Sequence, residues 1–173
     1  MLFRSTNRSP RHRVLVILAE IIFFLLIYLG MRAWMQRDLV SGNPPAIHVV
    51  DMQGSETSLD DYQNQPLLIH FWASWCKICR FEQGAISSIA ENWPVLTVAM
   101  QSGTDEQVAH FMNQNNLNWK TINDESGKIS DQYGIKGVPT SFIIDSAGTI
   151  RFRESGYTTA TGLRLRLWLA DLL

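Results

Sequence analysis

Two cysteines are all that this chain of 173 residues contains, which rules out a disulfide-stapled scaffold. A tetrahedral structural zinc site is excluded on the same count, because it takes four ligands, usually from two cysteine pairs. A second pair is missing here, and His12, His48, His70 and His110 show no paired ligand spacing. Charge of one sign is lacking too. The 15 Lys and Arg against 16 Asp and Glu leave a net charge of −1, so no whole-chain field draws the protein to nucleic acid. Internal repeats and low-complexity segments are absent, and with 46% hydrophobic and 18% charged residues the chain is too apolar to stay disordered.

One long apolar run is present. Val14 to Leu29 reads VLVILAEIIFFLLIYL, and with Gly30 and Met31 it counts 18 residues. As a helix that is roughly 27 Å, against a hydrocarbon core of about 30 Å. Arg4, Arg8, Arg11 and Arg13 precede the run, whereas Arg32 and Trp34 follow as interfacial anchors. This asymmetry favours a cytoplasmic basic tail at 1–13, a transmembrane anchor at 14–31 and a linker at 32–45. Residues 46–173 then form a domain on the far side, in a bacterial periplasm, held to the inner membrane by a single pass. A cleaved secretory signal is the rival reading, but no good small-x-small cleavage site follows the run. Glu20 within it reads as protonated or reaching back to the basic surface.

Beyond the linker, strand-like and helix-like segments alternate. Ile47–Met52 reads as a short strand, Ser58–Tyr62 as one helical turn, and LLIHFW at 67–72 as a central strand covered on both faces. A helix is expected from the cysteines to about Asn92, then a strand over Val95–Gln101 and a helix from Thr104 to about Asn115. Ser126–Tyr133 suits another helix, Ser141–Asp145 and Thr149–Arg153 a hairpin, and Thr159–Leu173 a closing helix by its length. Such a chain makes an α/β fold, a mixed sheet sandwiched by helices.

Cys76-Lys77-Ile78-Cys79 sits where the central strand meets the first of these helices. The first sulfur lies at the helix N-terminus, where free N–H groups and the macrodipole favour an anion. The second lies one turn in and is shielded. The Cys76 thiolate can therefore attack an external disulfide, and Cys79 can resolve the mixed disulfide. Lys77 adds positive charge beside Cys76. Each pKa unit of thiolate stabilisation is worth about 1.4 kcal/mol and makes the couple roughly 30 mV more oxidising. A second element, Gly137-Val138-Pro139-Thr140, stands just before SFIID. Its proline either marks the start of a strand or forms a cis peptide.

His70-Phe-Trp-Ala-Ser-Trp-Cys-Lys-Ile-Cys79, followed by Gly137-Val-Pro-Thr-Ser-Phe-Ile-Ile-Asp145, resembles the thioredoxin superfamily over about residues 45–173. More narrowly it resembles the membrane-anchored TlpA/ResA/CcmG-like thiol–disulfide oxidoreductases, and most of all the suppressor-of-copper-sensitivity D (ScsD) type. The resemblance implies a thioredoxin-like fold with Cys76 as exposed nucleophile, Cys79 as resolving thiol and a cis Val138–Pro139 bond packed against the disulfide. It implies that the backbone of Val138 pairs with an extended substrate segment, with Thr140 beside it and Trp72 and Trp75 flanking the site. Glu82 occupies an offset at which that group carries a glutamate that influences cysteine protonation; by itself it reads as a solvated helix carboxylate. His70 departs from thioredoxins that hold an aspartate at this position. Neutral His70 is expected either to accept the Cys79 proton or to be a core histidine bonded to backbone. Residues 102–135 resemble the strand–helix insertion of the TlpA-like group, and Asp124-Glu125 reads as a solvated turn.

The function expected is disulfide exchange with protein substrates in the reductase or isomerase direction, with no bound cofactor and no metal. A membrane electron-relay protein of the DsbD/ScsB type is the expected partner. Two other readings stand beside it. A Cys-x-x-Cys dithiolate can hold cuprous ion, which would make the chain a copper-handling module. Peroxidase chemistry, on a related fold, would place its reactive cysteine differently.

Overall fold

The computed structural model describes residues 10–172, with side chains from Arg13 onward, so Arg4, Arg8 and the Arg11 side chain of the basic tail lie outside the described residues. The chain divides into two units, Met1–Arg37 and Asp38–Leu173. In the first, α1 (Pro10–Gln36) is a single apolar helix. Its stretch Arg13–Gln36 counts 24 residues, with no residue of its apolar 18-residue window buried, and at roughly 36 Å it is long enough to span a bilayer. The helix runs on past Met31, and Arg37 stacks over the Trp34 ring at 5.1 Å.

The second unit opens with a short hairpin, β1 (His48–Val50) and β2 (Glu56–Ser58), and a 3₁₀ turn at Leu59–Tyr62 capped by Ser58. Next come β3 (Leu67–Trp72), α2 (Lys77–Ala90), β4 (Val95–Met100), α3 (Asp105–Gln114), β5 (Lys120–Asp124) and α4 (Lys128–Gln132). The chain closes with β6 (Thr140–Ile144), β7 (Ile150–Ser155) and α5 (Ala160–Asp171). The main sheet has the order β5-β4-β3-β6-β7. β3, β4 and β5 are parallel, while β6 and β7 are antiparallel to their neighbours. This is a thioredoxin-like α/β fold.

Strand alternation divides the core. Leu68, Trp72, Val95 and Ile143 meet Ile86 and Ile89 of α2, Val108 and Met112 of α3, and Leu163 and Leu167 of α5. Ile69, Phe71, Val98 and Phe142 face the other way, towards Tyr133, Ile135 and Ile47. All six residues of β3 are buried, which is why its sequence shows no polar alternation.

One register line on the α2 side is polar across the whole sheet. Thr121, Thr97, His70, Ser141 and Glu154 are successive paired positions on β5, β4, β3, β6 and β7. All five are buried. The Thr97 and Thr121 hydroxyls lie 2.8 Å apart, and Glu154 pairs with Arg166 of α5 at 2.8 Å.

Three expectations change. Residues 32–36 end a helix, and from Asp38 onward the expected linker is a strap packed on the domain. Leu39 is buried, Val40 N–H bonds the Tyr133 carbonyl at 3.3 Å, and the Tyr133 hydroxyl donates to the Pro45 carbonyl at 3.0 Å. Gly134 (φ +71°) makes room for this strap, since a Cβ there would run into the Asp38 carbonyl. The second change is β5, whose KTIND carries one apolar residue and shows no strand pattern; it is buried through Thr121, Ile122 and Asp124. Asp124, third, is no solvated turn. It is buried, and its carboxylate accepts from the Ile129 N–H at 3.1 Å, the Ser130 N–H at 2.8 Å and the Ser130 hydroxyl at 2.7 Å, fixing the start of α4.

Candidate active site

β3 delivers the chain to the helix start through Ala73-Ser74-Trp75. Two bonds pin this turn to the loop after β4: Ser74 N–H to the Ser102 hydroxyl at 3.0 Å, and Trp75 Nε1–H to the Gln101 carbonyl at 3.0 Å. Cys76 is the N-cap of α2, and the Cys79 N–H donates to its Sγ at 3.1 Å. Helix starts leave N–H groups without intrahelical partners, and here one of them is spent on sulfur. The two cysteines form a disulfide, their Cα atoms 5.3 Å apart. Cys76 is 6% exposed and Cys79 4%, so in this oxidised state the expected exposed nucleophile is nearly as covered as its partner.

The Val138–Pro139 peptide is cis. It brings the Val138 carbonyl oxygen to 3.5 Å from Cys76 Sγ. Behind it, the Thr140 hydroxyl donates to the Gly137 carbonyl at 2.8 Å, and Gly156 N–H donates to the Pro139 carbonyl at 2.8 Å. Thr140 is buried and braces the loop from beneath, so it is withdrawn as a substrate contact. Trp75 stands exposed at the rim with Ile78 and Phe81, the last 79% exposed. Lys77 is exposed at the first position of α2. Trp72 does not flank the site from solvent. It is buried, stacked on Phe111 at 5.5 Å and edge-on to Trp119 at 5.7 Å.

Glu82 follows Cys79 by three residues, which puts both on one face of α2, and that face is inward. Glu82 is 2% exposed, not the solvated carboxylate its surroundings in sequence indicate. It accepts a hydrogen bond from the Thr158 N–H, and burial pushes its carboxyl up to about 7. Below it on β3 lies His70, 1% exposed. His70 Nδ1 is 2.9 Å from the Ser141 hydroxyl, and Nε2 is 4.0 Å from Glu82 Oε2. Burial drives His70 down to about 3, which keeps it neutral and makes it a poor proton acceptor at neutral pH. Its partners are side chains, not backbone. Ser141 and Thr158 are site residues that sequence alone did not raise; a strand register and a loop closure bring them in from 71 and 76 positions away.

A redox dithiol at a helix start, opposed by a cis-proline loop on this sheet, is an arrangement with known relatives. A family model described as AhpC/TSA matches residues 41–153. The chain belongs to the AhpC/TSA family. Among curated relatives, a thioredoxin-like protein of Haemophilus influenzae is 33% identical over 140 residues, covering 80% of this chain and 83% of its own. The thiol-disulfide oxidoreductase ResA of Bacillus thuringiensis is 30% identical over 141 residues, covering 79% and 81%. Among solved structures, a Chlorobium tepidum chain described as a candidate thiol:disulfide interchange protein DsbE superimposes with a TM-score of 0.67 at 27% identity. It covers 78% of this chain and 99% of that one. The likeness to these relatives thus extends over about four fifths of the chain and not only the cysteine motif.

Proposed function

We propose that the chain is a membrane-tethered protein disulfide oxidoreductase working through Cys76 and Cys79, of the ScsD type within its family. The observation that carries the reading is the Cys79 N–H aimed at Cys76 Sγ from 3.1 Å, on a sulfur that also faces the Val138 carbonyl. A thiolate formed there is stabilised by the N–H and the helix dipole, and Lys77 adds to the effect.

In the reduced chain, the Cys76 thiolate attacks one sulfur of a substrate disulfide. The substrate S–S bond breaks, its electron pair leaves on the second sulfur, and that thiolate takes a proton from water. Cys79 then gives its thiol proton to the Glu82 carboxylate and attacks Cys76 Sγ. The Cys76–Cys79 bond forms, and the first substrate sulfur leaves as a thiolate. Two electrons pass to the substrate, and the two sulfurs carry them without a cofactor. Val138 offers its backbone to an extended substrate segment, Pro139 packs against the disulfide, and the exposed Trp75 contacts the substrate's apolar side chains.

The apolar α1, with arginines on its N-terminal side, supports an inner-membrane anchor with the domain in the periplasm. A membrane relay of the DsbD/ScsB type would return the pair to the dithiol, which sets the direction as reductase or isomerase. Tethering raises the effective concentration of such a partner without new contacts. A copper-handling dithiolate is less favoured, because both sulfurs are buried where a metal would need open coordination.

The test is the reduction potential of the full chain in detergent, equilibrated in dithiothreitol or glutathione buffers. A value near or below about −250 mV supports a reductase fed by a relay, and one near −120 mV an oxidant instead. Absence of a reversible two-electron couple overturns the reading.

A further inference from the structure

His70 holds the middle of the polar row, and Glu82 hangs over it from α2. The imidazole is fixed from one side, where Nδ1 meets the Ser141 hydroxyl at 2.9 Å, and its other nitrogen faces the carboxylate at 4.0 Å. With the Ser141 hydroxyl donating to Nδ1, the ring proton sits on Nε2 and points at Glu82. The carboxylate accepts a hydrogen bond from the Thr158 N–H. We propose that His70 is a positioning residue: a neutral N–H donor, oriented by Ser141, that keeps Glu82 ionised often enough to serve as the base for Cys79. The inference rests on the disulfide-exchange reading and names what tunes that reaction.

The physical case is one of balance. Burial keeps this carboxyl protonated over a wider pH range than a solvated one, and a protonated Glu82 cannot take the thiol proton of Cys79. A cation beside it would hold it permanently ionised and too weakly basic. A neutral N–H lies between these limits and favours the carboxylate without pinning it. At 4.0 Å the two groups face each other outside hydrogen-bond range in the disulfide state, and catalytic contacts of this kind commonly tighten in the reacting complex. The other groups around the pair leave this role to His70. On α2, Cys79 precedes Glu82 by one turn, while Arg80 is exposed and bonds the Ser74 carbonyl at 3.2 Å. On β4 the neighbour in register is Thr97 and on β6 Ser141, neither ionisable. On β7, Glu154 sits beyond Ser141, and its charge is matched by Arg166 of α5 at 2.8 Å.

The experiment uses the reduced full chain in detergent, mixed with an aromatic disulfide such as 5,5′-dithiobis(2-nitrobenzoate). The first chromophore released reports attack by Cys76, and the second reports resolution by Cys79. Across pH 5 to 9, the resolution rate should rise with the ionisation of Glu82. His70→Phe removes the N–H and should move this limb upward by about one pH unit, leaving the first phase in place. His70→Gln restores an N–H donor that cannot titrate and should return the limb towards the wild-type position. Ser141→Ala frees the ring and should shift the limb the same way as His70→Phe, by less. A limb unchanged in His70→Phe, or equally shifted in His70→Gln, overturns the proposal. Should His70→Phe not fold, Ser141→Ala and a carboxyl-region infrared titration of Glu82 in His70→Gln decide it: unshifted values in the first or a lost titration in the second sink the idea. No second release at any pH would instead overturn the exchange reading itself.

Discussion

The backbone N–H of Cys79 donates to Cys76 Sγ across 3.1 Å, so in the proposed exchange the resolving residue also stabilises the attacking one. The two roles are joined in one helical turn. In that proposal the open end of α2 is what favours a thiolate at Cys76, while Cys79 lies inside and needs a base. Glu82, a further turn along the same buried face, is the base that the proposal assigns to it.

Lys77 tests the electrostatic half of this arrangement. It is exposed, so its field is screened. Lys77→Gln should raise the Cys76 thiol pKa by about 0.3 unit at low salt, read from thiolate absorbance at 240 nm. The couple should become more reducing by roughly 10 mV. Both shifts should shrink in 1 M salt, and a salt-independent shift would point to a structural effect instead.

The buried pair predicts an unusual pH profile of stability. Glu82 is raised from 4.5 to about 7 in the folded chain, so its contribution is full below pH 4.5 and is lost as pH rises through 7. His70 is lowered from 6.5 to about 3, so its contribution is full above pH 6.5 and is lost as pH falls towards 3. The slopes oppose one another between pH 4.5 and 6.5. Denaturant midpoints of the wild type should be nearly flat there, whereas Glu82→Gln should climb with pH across that window. At pH 8, Glu82→Gln should be the more stable protein.

Leu39 predicts where the folded unit begins. It is buried in the cluster where the sheet face carrying Phe71 meets Tyr133, although the local sequence QRDLVSGNPP reads as linker. Leu39→Ala should cost about 2–3 kcal/mol in chemical denaturation. A soluble piece cut at residue 46 should be less stable than one cut at residue 38 by at least as much. Equal stabilities would return the strap to linker status.

Those tests fall where the sequence was hardest to read. The cysteine pair, the Gly137–Thr140 loop and the nearly continuous apolar run of β3 were legible because each is a local pattern with one physical use. β5 was not, because two of its three buried positions are threonine and aspartate, satisfied by hydrogen-bonding neighbours. Leu39 and its neighbour Val40 are one apolar pair among turn formers, and a lone pair makes no periodicity. His70 and Glu82 were visible as residues, but their meeting was not. It depends on which face β3 turns to α2 and on Ser141 arriving opposite His70, facts of pairing that a single sequence does not carry. Thr140 erred the other way: its position in the motif put it near substrate, and its hydroxyl proved to be spent on Gly137.

The polar row from Thr121 to Glu154 has a consequence for how the sheet can be inherited. Each strand contributes one member, and sliding any strand by one residue would set a hydroxyl, imidazole or carboxylate against hydrocarbon. The row works like the wards of a key, admitting one alignment of five strands and refusing its neighbours. Lineages that alter one ward should therefore alter the facing one as well, with an apolar residue at 70 expected beside an apolar residue at 141 and a shortened or neutral side chain at 82.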